Sequence, residues 1–411
     1  MMAQVDPARI EAIITQLVAF GTRNTMSSQT DPTRGIGAAR DWIAGQMRTF
    51  AATSGGRMTV AVPGYTQAVS GSITHATLIS NVVATLRGST EPTRIYVVSG
   101  HYDSRNSNNS DFTNDAPGAN DDASGVAVVL ELARIMATHQ PAATIMFAAV
   151  AGEEQGLLGS NFMATTLKNQ SADVQGMLNN DIVGSSTADD GSTDPFTIRM
   201  FTEGIPPTDT LAQVHSRATS GAENDSPIRQ LGRFVAEVAS NAITQMNVQM
   251  VYRADRFGRG GDHESFLAQG YPAVRFTEPH ENFAHQHQNV RVVNGVQFGD
   301  LPQFCDFEFI ARVARVNGVA LWSLAQAPGT PKGLTLDTSV LTNNSTLRWT
   351  RDTRAAGYEI VWRASEDPFW THVIPVGAVS SATVLLSKDN AQFGVRAVGA
   401  NGFKSPAGFP F

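Results

Sequence analysis

The sequence predicts a mixed α/β protein: a largely parallel central sheet sandwiched by helices, followed by a small all-β sandwich. Three observations carry that prediction. Between residue 8 and about residue 320, strand-type runs alternate with segments of helical period. The run "ATIMFAAVAGEE" is apolar as a strand buried on both faces would be. Beyond residue 327 no helical period remains, and short strand runs follow one another between turns.

The elements follow in order. Residues 8 to 22 place Ile10, Ile13, Ile14, Leu17 and Val18 at helical spacing, and residues 36 to 52 read as a second helix. "TLISNVVATLRG" and "RIYVVSGHYDS" read as strands, "DASGVAVVLELARIMATHQ" as a helix, and "ATIMFAAVAGEE", "GMLNNDIVG" and "YPAVRFTE" as further strands. No element is assigned to the polar stretch from 184 to 230. At "LAQAPGTPKGLTL" Pro and Gly cluster and the composition changes, which divides the chain into residues 1–326 and residues 327–411. In the second part, "STLRWT", "GYEIVWRAS", "ATVLLS" and "AQFGVRAVG" are strands, with Trp349, Tyr358, Ile360 and Val395 alternating as core positions. Their spacing resembles a fibronectin type III module, with Phe393 where that family often carries a tyrosine.

Composition excludes several functions. A chain of 411 residues is long enough for two domains, and 42% hydrophobic against 16% charged residues suits a large buried core. The net charge of -7 disfavours a nucleic-acid partner. No apolar run is long enough for a membrane span. Cys305 is the single cysteine, so neither an intrachain disulfide nor a thiolate zinc site can form. The opening "MMAQVDPARIEAIITQLVAFGTR" is too acidic and too interrupted for a signal peptide, and its doubled Met reads as an added start with a natural leader removed.

The candidate chemistry lies at strand ends. "SGHYDS" puts His101 and Asp103 two apart on a strand, a spacing that points both side chains one way and lets an acid orient an imidazole. Asp121 and Asp122 precede a helix, which one of them can cap. Asp181 closes "NNDIVG". Glu153 and Glu154 stand side by side where a strand leaves the core, an arrangement that is tolerable beside cations. "GRGGDHESFLAQGYPAVRFTEPHENFAHQHQNV" holds His263, His280, His285 and His287, four of the chain's nine histidines. His101, Asp121, Glu154, Asp181 and a histidine near 285 are enough for two divalent ions if one carboxylate bridges them. Glu153 is then left free as a base.

The set "GHYDS", "GANDDASG", "AGEEQGLLGS", "NNDIVG" and "DHESFLAQGYPAV" resembles the M28 family of zinc peptidases over about residues 75 to 320. The resemblance implies a mixed sheet between helices with two Zn²⁺ above the strand ends. It implies His101, Asp121 and Asp181 on one zinc, a bridging Asp121, Glu154 and a late histidine on the other, Glu153 as general base, Asp103 behind His101, and a cis Asp121–Asp122 peptide. His285, with Asn289 four residues on, fits the family spacing better than His287 with Arg291. Asp262 and His263 match an element beside the site, and His280 reads as a surface residue.

The expected activity is that of an aminopeptidase cleaving peptides with a free N-terminus. A glutaminyl cyclase on the same scaffold, a carboxypeptidase or dipeptidase, and a non-catalytic receptor-like binding protein are the alternatives. The β-sandwich is expected to serve attachment to a surface, a polymer or the catalytic domain, so removal of residues 328 to 411 should leave turnover of a small substrate nearly unchanged. Trp349, Trp362 and Trp370 fit core packing better than carbohydrate stacking. The family and the accessory module suggest a secreted or periplasmic location.

Overall fold

The computed structural model describes residues 1–411. Helix α1 (Pro7–Ala19) starts where the Asp6 carboxylate accepts from the Ala8 amide at 3.0 Å, with proline at the first helical position. Its buried face is Ile10, Ile13, Ile14 and Leu17. Then come α2 (Ile36–Ala52), β1 (Met58–Ala61), the hairpin β2 (Gly64–Gln67) and β3 (Thr77–Ser80), β4 (Val82–Leu86) and β5 (Glu91–His101). Helix α3 (Ala123–Ala137) is capped by the Asp122 carboxylate, which accepts from Gly125 N, and all its residues but Arg134 are buried. A helix apolar all round belongs inside a core. It is followed by β6 (Ala143–Val150), α4 (Leu158–Asn169) and β7 (Asp173–Asn180).

The unassigned stretch from 184 to 230 contains β8 (Thr197–Phe201), α5 (Leu211–Ser220) and the start of α6 (Pro227–Ala239). Helix α5 is missed by apolar periodicity because it buries almost nothing; a Thr210–Gln213 capping box holds it. The larger, N-terminal part ends with β9 (Asn247–Val251), α7 (His263–Ala268), β10 (Ala273–Thr277), the hairpin β11 (Arg291–Val293) and β12 (Val296–Phe298), and α8 (Phe307–Gln326).

Eight strands form the central sheet in the order β1-β4-β6-β5-β7-β10-β8-β9. Only its middle is all parallel: β6, β5, β7 and β10 run together. β4 runs antiparallel to both β1 and β6, and β8 runs against β10. The sheet is therefore mixed, with antiparallel strands added on both sides. The four parallel strands end at one edge, where crevices form outside their carboxyl ends.

The C-terminal strands are β13 (Lys332–Leu336), β14 (Ser345–Thr350), β15 (Ala355–Ala364), β16 (His372–Gly377), β17 (Ser381–Val384) and β18 (Ala391–Gly399). They make two three-stranded sheets, β13-β14-β17 and β16-β15-β18. Leu347, Trp349, Tyr358, Ile360, Phe393 and Val395 close a hydrophobic cluster separate from that of the large sheet. Trp362 lies outside that cluster's buried set and stacks on His372. Trp370 donates to Gln230 Oε1 on α6 at 2.9 Å.

The two parts are joined by charge. Asp225, fully buried ahead of α6, accepts from Arg363 of β15 at 2.5 Å and pairs with Arg233 of α6. Arg396 of β18 bridges Glu359 at 2.6 Å and Glu237 of α6 at 2.8 Å.

Candidate metal centre

His101 is the last residue of β5, Asp181 follows β7 directly, and Glu153 and Glu154 follow β6. Because these strands are parallel and adjacent, residues far apart in sequence reach one edge of the sheet. Asp121 arrives from the opposite direction, on the turn that opens α3. Asp300 holds that turn: its carboxylate accepts from the amides of Asn120 and Asp121, both at 2.7 Å. The Asp121–Asp122 peptide is cis. Asp122 points away from the centre, receiving His101 N at 2.9 Å besides capping α3.

The donors fall into two groups, each within 4.8 Å: His101 with Glu153 and Asp181, and Asp121 with Glu154 and His287. Asp121 touches both. Its Oδ1 lies 3.1 Å from His101 Nε2 and its Oδ2 lies 2.7 Å from His287 Nε2. His287 Nε2 is also 3.1 Å from Glu154 Oε1, and Asp181 Oδ1 is 3.9 Å from His101 Nε2.

Late in the chain the structure departs from the spacing argument. His287, not His285, meets Asp121 and Glu154. The His285 ring instead stacks on Phe304, with centroids 3.6 Å apart and planes 11° from parallel. Gln286 is buried between them and donates to Glu281 Oε2 at 3.0 Å. His287 has φ of 56°, a left-handed conformation that bulky residues rarely adopt and that recurs at functional sites. The turn sends the two histidines to different surroundings. Asn289, at the offset expected of an acid, accepts from Ser107 N at 3.1 Å and Ser107 Oγ at 2.7 Å, tying the histidine loop to the loop after β5.

Asp103 does more than back His101. His101 Nδ1 lies 3.2 Å from the Asp103 carbonyl and 3.5 Å from Oδ1. The two Asp103 carboxylate oxygens accept from Glu153 N and Glu154 N, each at 3.2 Å, and Thr25 Oγ1 donates from 3.2 Å. One fully buried side chain therefore fixes one donor imidazole and the glutamate pair together.

The electrostatics call for cations. His101 Nε2 and Glu154 Oε1 are buried and make no well-directed hydrogen bond, although Asp121 Oδ1 and His287 Nε2 lie 3.1 Å from them. Buried polar atoms are rarely left so, and a lone pair facing carboxylate oxygens suits a divalent ion. Burial raises the Glu153 pKa well above the ordinary carboxylate range, and Asp181 and Glu154 add to it against the pull of His101. Burial opposes protonation of His287, but Glu154 and Asp121 lift its pKa to about 10. Imidazoles, which bind metal once deprotonated, and carboxylates with no thiol form a set that zinc accepts, so the residues present fit the ion.

Asp262 is fully buried, and burial lifts its carboxyl to about 7. His263 Nε2 donates to the Ala254 carbonyl at 2.9 Å. Asp255, His263 and Glu264 make a third group of donor type. Asp255 is already claimed by Arg275 at 2.7 Å and Arg256 at 3.1 Å, which leaves it a poor cation ligand. Asp255, Asp300 and Arg275 were not found from sequence. The one signal available was an arginine inside the otherwise apolar run "YPAVRF".

The pattern of peptidase family M28 matches residues 81–291. The chain belongs to peptidase family M28. A probable zinc metalloprotease of Pyricularia oryzae is 58% identical across the whole chain, which covers 83% of that protein. The M28 chain is thus a zinc metalloprotease. Its fold is shared with solved structures at low identity. The LapA aminopeptidase of Legionella pneumophila aligns with 79% of this chain and 73% of its own at TM-score 0.55 and 17% identity. A glutaminyl cyclase of Fimbriiglobus ruber aligns with 77% of this chain and 95% of its own at TM-score 0.52 and 17% identity. The α/β fold is therefore one that this chain shares with both of these solved enzymes.

Proposed function

We propose that this M28 peptidase is an aminopeptidase that binds two zinc ions and releases N-terminal residues from peptides. The observation that carries the two-ion reading is Asp121, whose two carboxylate oxygens face two different histidines, at 3.1 Å and 2.7 Å. His101 and Asp181 would hold one ion, Glu154 and His287 the other, and Asp121 would bridge. Zinc, when bound there, supplies Lewis acidity to water and to the scissile carbonyl.

The chain's own groups do the rest. Glu153 makes no ion pair or side-chain hydrogen bond within the protein, and burial makes its carboxylate basic. It takes a proton from the attacking water and returns it to the departing amine. Asp103 keeps Glu153 in reach by holding its amide. The surplus of carboxylates favours an α-ammonium group on the substrate, which is the reason for preferring a free N-terminus.

Relatives named as zinc metalloproteases support hydrolysis over cyclisation, and a fold neighbour named as an aminopeptidase supports the exopeptidase reading. The deciding experiment is a panel of aminoacyl chromogenic amides, one N-blocked amide and one N-terminal Gln peptide, run on zinc-loaded and chelated protein. Release from free-amine substrates alone, abolished by chelation, is expected. Cyclisation of the Gln peptide without amide hydrolysis overturns the assignment, as does cleavage of the N-blocked substrate in preference.

Three accessory readings belong to the same proposal. The chain divides after Gln326, where α8 ends. Residues 327–411 form a fibronectin type III-like module, and the enzyme acts outside the cytoplasm. Limited proteolysis near Ala327 and activity in the extracellular or periplasmic fraction would test the first and the last.

A further inference from the structure

Strand β10 is buried along its whole length and carries one charge, Arg275, which is 1% exposed between β7 and β8. A charge in such a place must be paired. Two carboxylates hold it. Nη1 lies 2.7 Å from Asp255 Oδ2, and Nη2 lies 2.7 Å from Asp181 Oδ1. Nη1 also donates to the Gly260 carbonyl. Residue 261 is glycine, and a Cβ there would meet Arg275 Nη1 at 3.0 Å and Asp181 Oδ2 at 3.1 Å. The loop leaves room for the guanidinium on Asp181.

Nothing similar touches the other donor group. The ion pairs of Asp121 and Glu154 are with His101 and His287, and no arginine or lysine joins them. The two groups share Asp121, but only the first has a guanidinium on one of its carboxylates, and that guanidinium is shared with Asp255. A guanidinium on a ligand carboxylate draws charge from its oxygen and repels a cation held by the same group. Away from water that repulsion is poorly screened.

We propose that Arg275 makes the two cation positions unequal. It anchors Asp181 and weakens the position built from His101 and Asp181, so the position at Asp121, Glu154 and His287 fills first. The inference rests on the two-zinc reading above. Arg275 is a positioning residue that acts through Asp181.

The test is a zinc titration of the metal-free full chain in competition with a chromophoric chelator, followed in parallel by visible absorption with Co²⁺. Wild type should show two steps separated by about ten-fold or more, the scale on which partners of a ligand shift metal affinity. Arg275→Gln removes the charge and should tighten the weaker step about ten-fold, leaving the stronger one in place. Arg275→Lys keeps the charge and should keep the separation. Asp255→Asn leaves the guanidinium to Asp181 alone and should move the weaker step the other way, so it decides the matter if Arg275→Gln does not fold. A purely structural role would weaken both steps in every variant. Equal steps in wild type, or weaker binding in Arg275→Gln, overturn the inference while leaving two zinc ions in place. Uptake of one ion at any concentration instead overturns the two-zinc reading itself.

Discussion

His287 Nε2 lies 2.7 Å from Asp121 Oδ2, joining residues 166 positions apart, while His285 two residues earlier stacks on Phe304. The late histidine of the centre is chosen by a turn. His287→Ala should lose one zinc by metal analysis and lower kcat/KM by about 100-fold or more, given the loss of charge stabilisation at the reacting centre. His285→Ala should keep both ions. Full metal loading of His287→Ala with native turnover would refute the assignment.

Asp103 joins His101 to the amides of Glu153 and Glu154. Asp103→Asn replaces one accepting oxygen by a donor facing an N–H. Zinc affinity or kcat/KM should fall by about 10–100-fold, measured by chelator competition and amide hydrolysis. A change confined to KM would argue that Asp103 acts on substrate instead.

Glu153 has no protein partner for its carboxylate, so removing its basicity should spare the fold. Glu153→Gln is expected to keep its metals and its melting temperature and to lose about 100- to 10,000-fold in kcat. Native turnover in a metal-loaded, folded Glu153→Gln protein would exclude it as the base.

The buried Arg363–Asp225 pair bears on the C-terminal sheets. Arg363→Ala leaves a buried carboxylate with less compensation and should cost about 3–5 kcal/mol, seen as a lower melting temperature or denaturant midpoint. Removal of residues 328 to 411 takes away Arg363, Arg396 and Trp370 at once, and should destabilise the peptidase part. That departs from the expectation that turnover would be unaffected. A truncated protein of native melting temperature would show the sandwich to be a mere appendage.

Chelation should act on stability as well as on activity. Two donor groups rich in carboxylate lose their counter-charge when the ions leave, so the melting temperature should fall and be restored by zinc in a concentration-dependent way. An unchanged melting temperature on full metal removal would mean that the buried carboxylates are neutralised by protons alone.

Much of this was legible in the sequence because it is local. Strand and helix periods, the cap at Asp122, the paired glutamates at the end of β6, and His101 and Asp181 at strand ends each depend on neighbours a few residues away. Helix α5 escaped because a capping box rather than a buried face sustains it. Which strands of the mixed sheet run antiparallel escaped because an apolar run carries no record of its direction.

By itself the sequence determined the family, the α/β class, the change to an all-β segment near residue 327, and four of the five residues proposed as cation ligands. The tertiary structure decided which histidine completes the set, that Asp103 fixes both sides of the centre, that Arg275 rests on Asp181, and that Asp225 receives an arginine from the sandwich. The physical reason is common to all four. Each is a contact between groups that only the tertiary fold brings together, and its partner lies where no local spacing rule reaches.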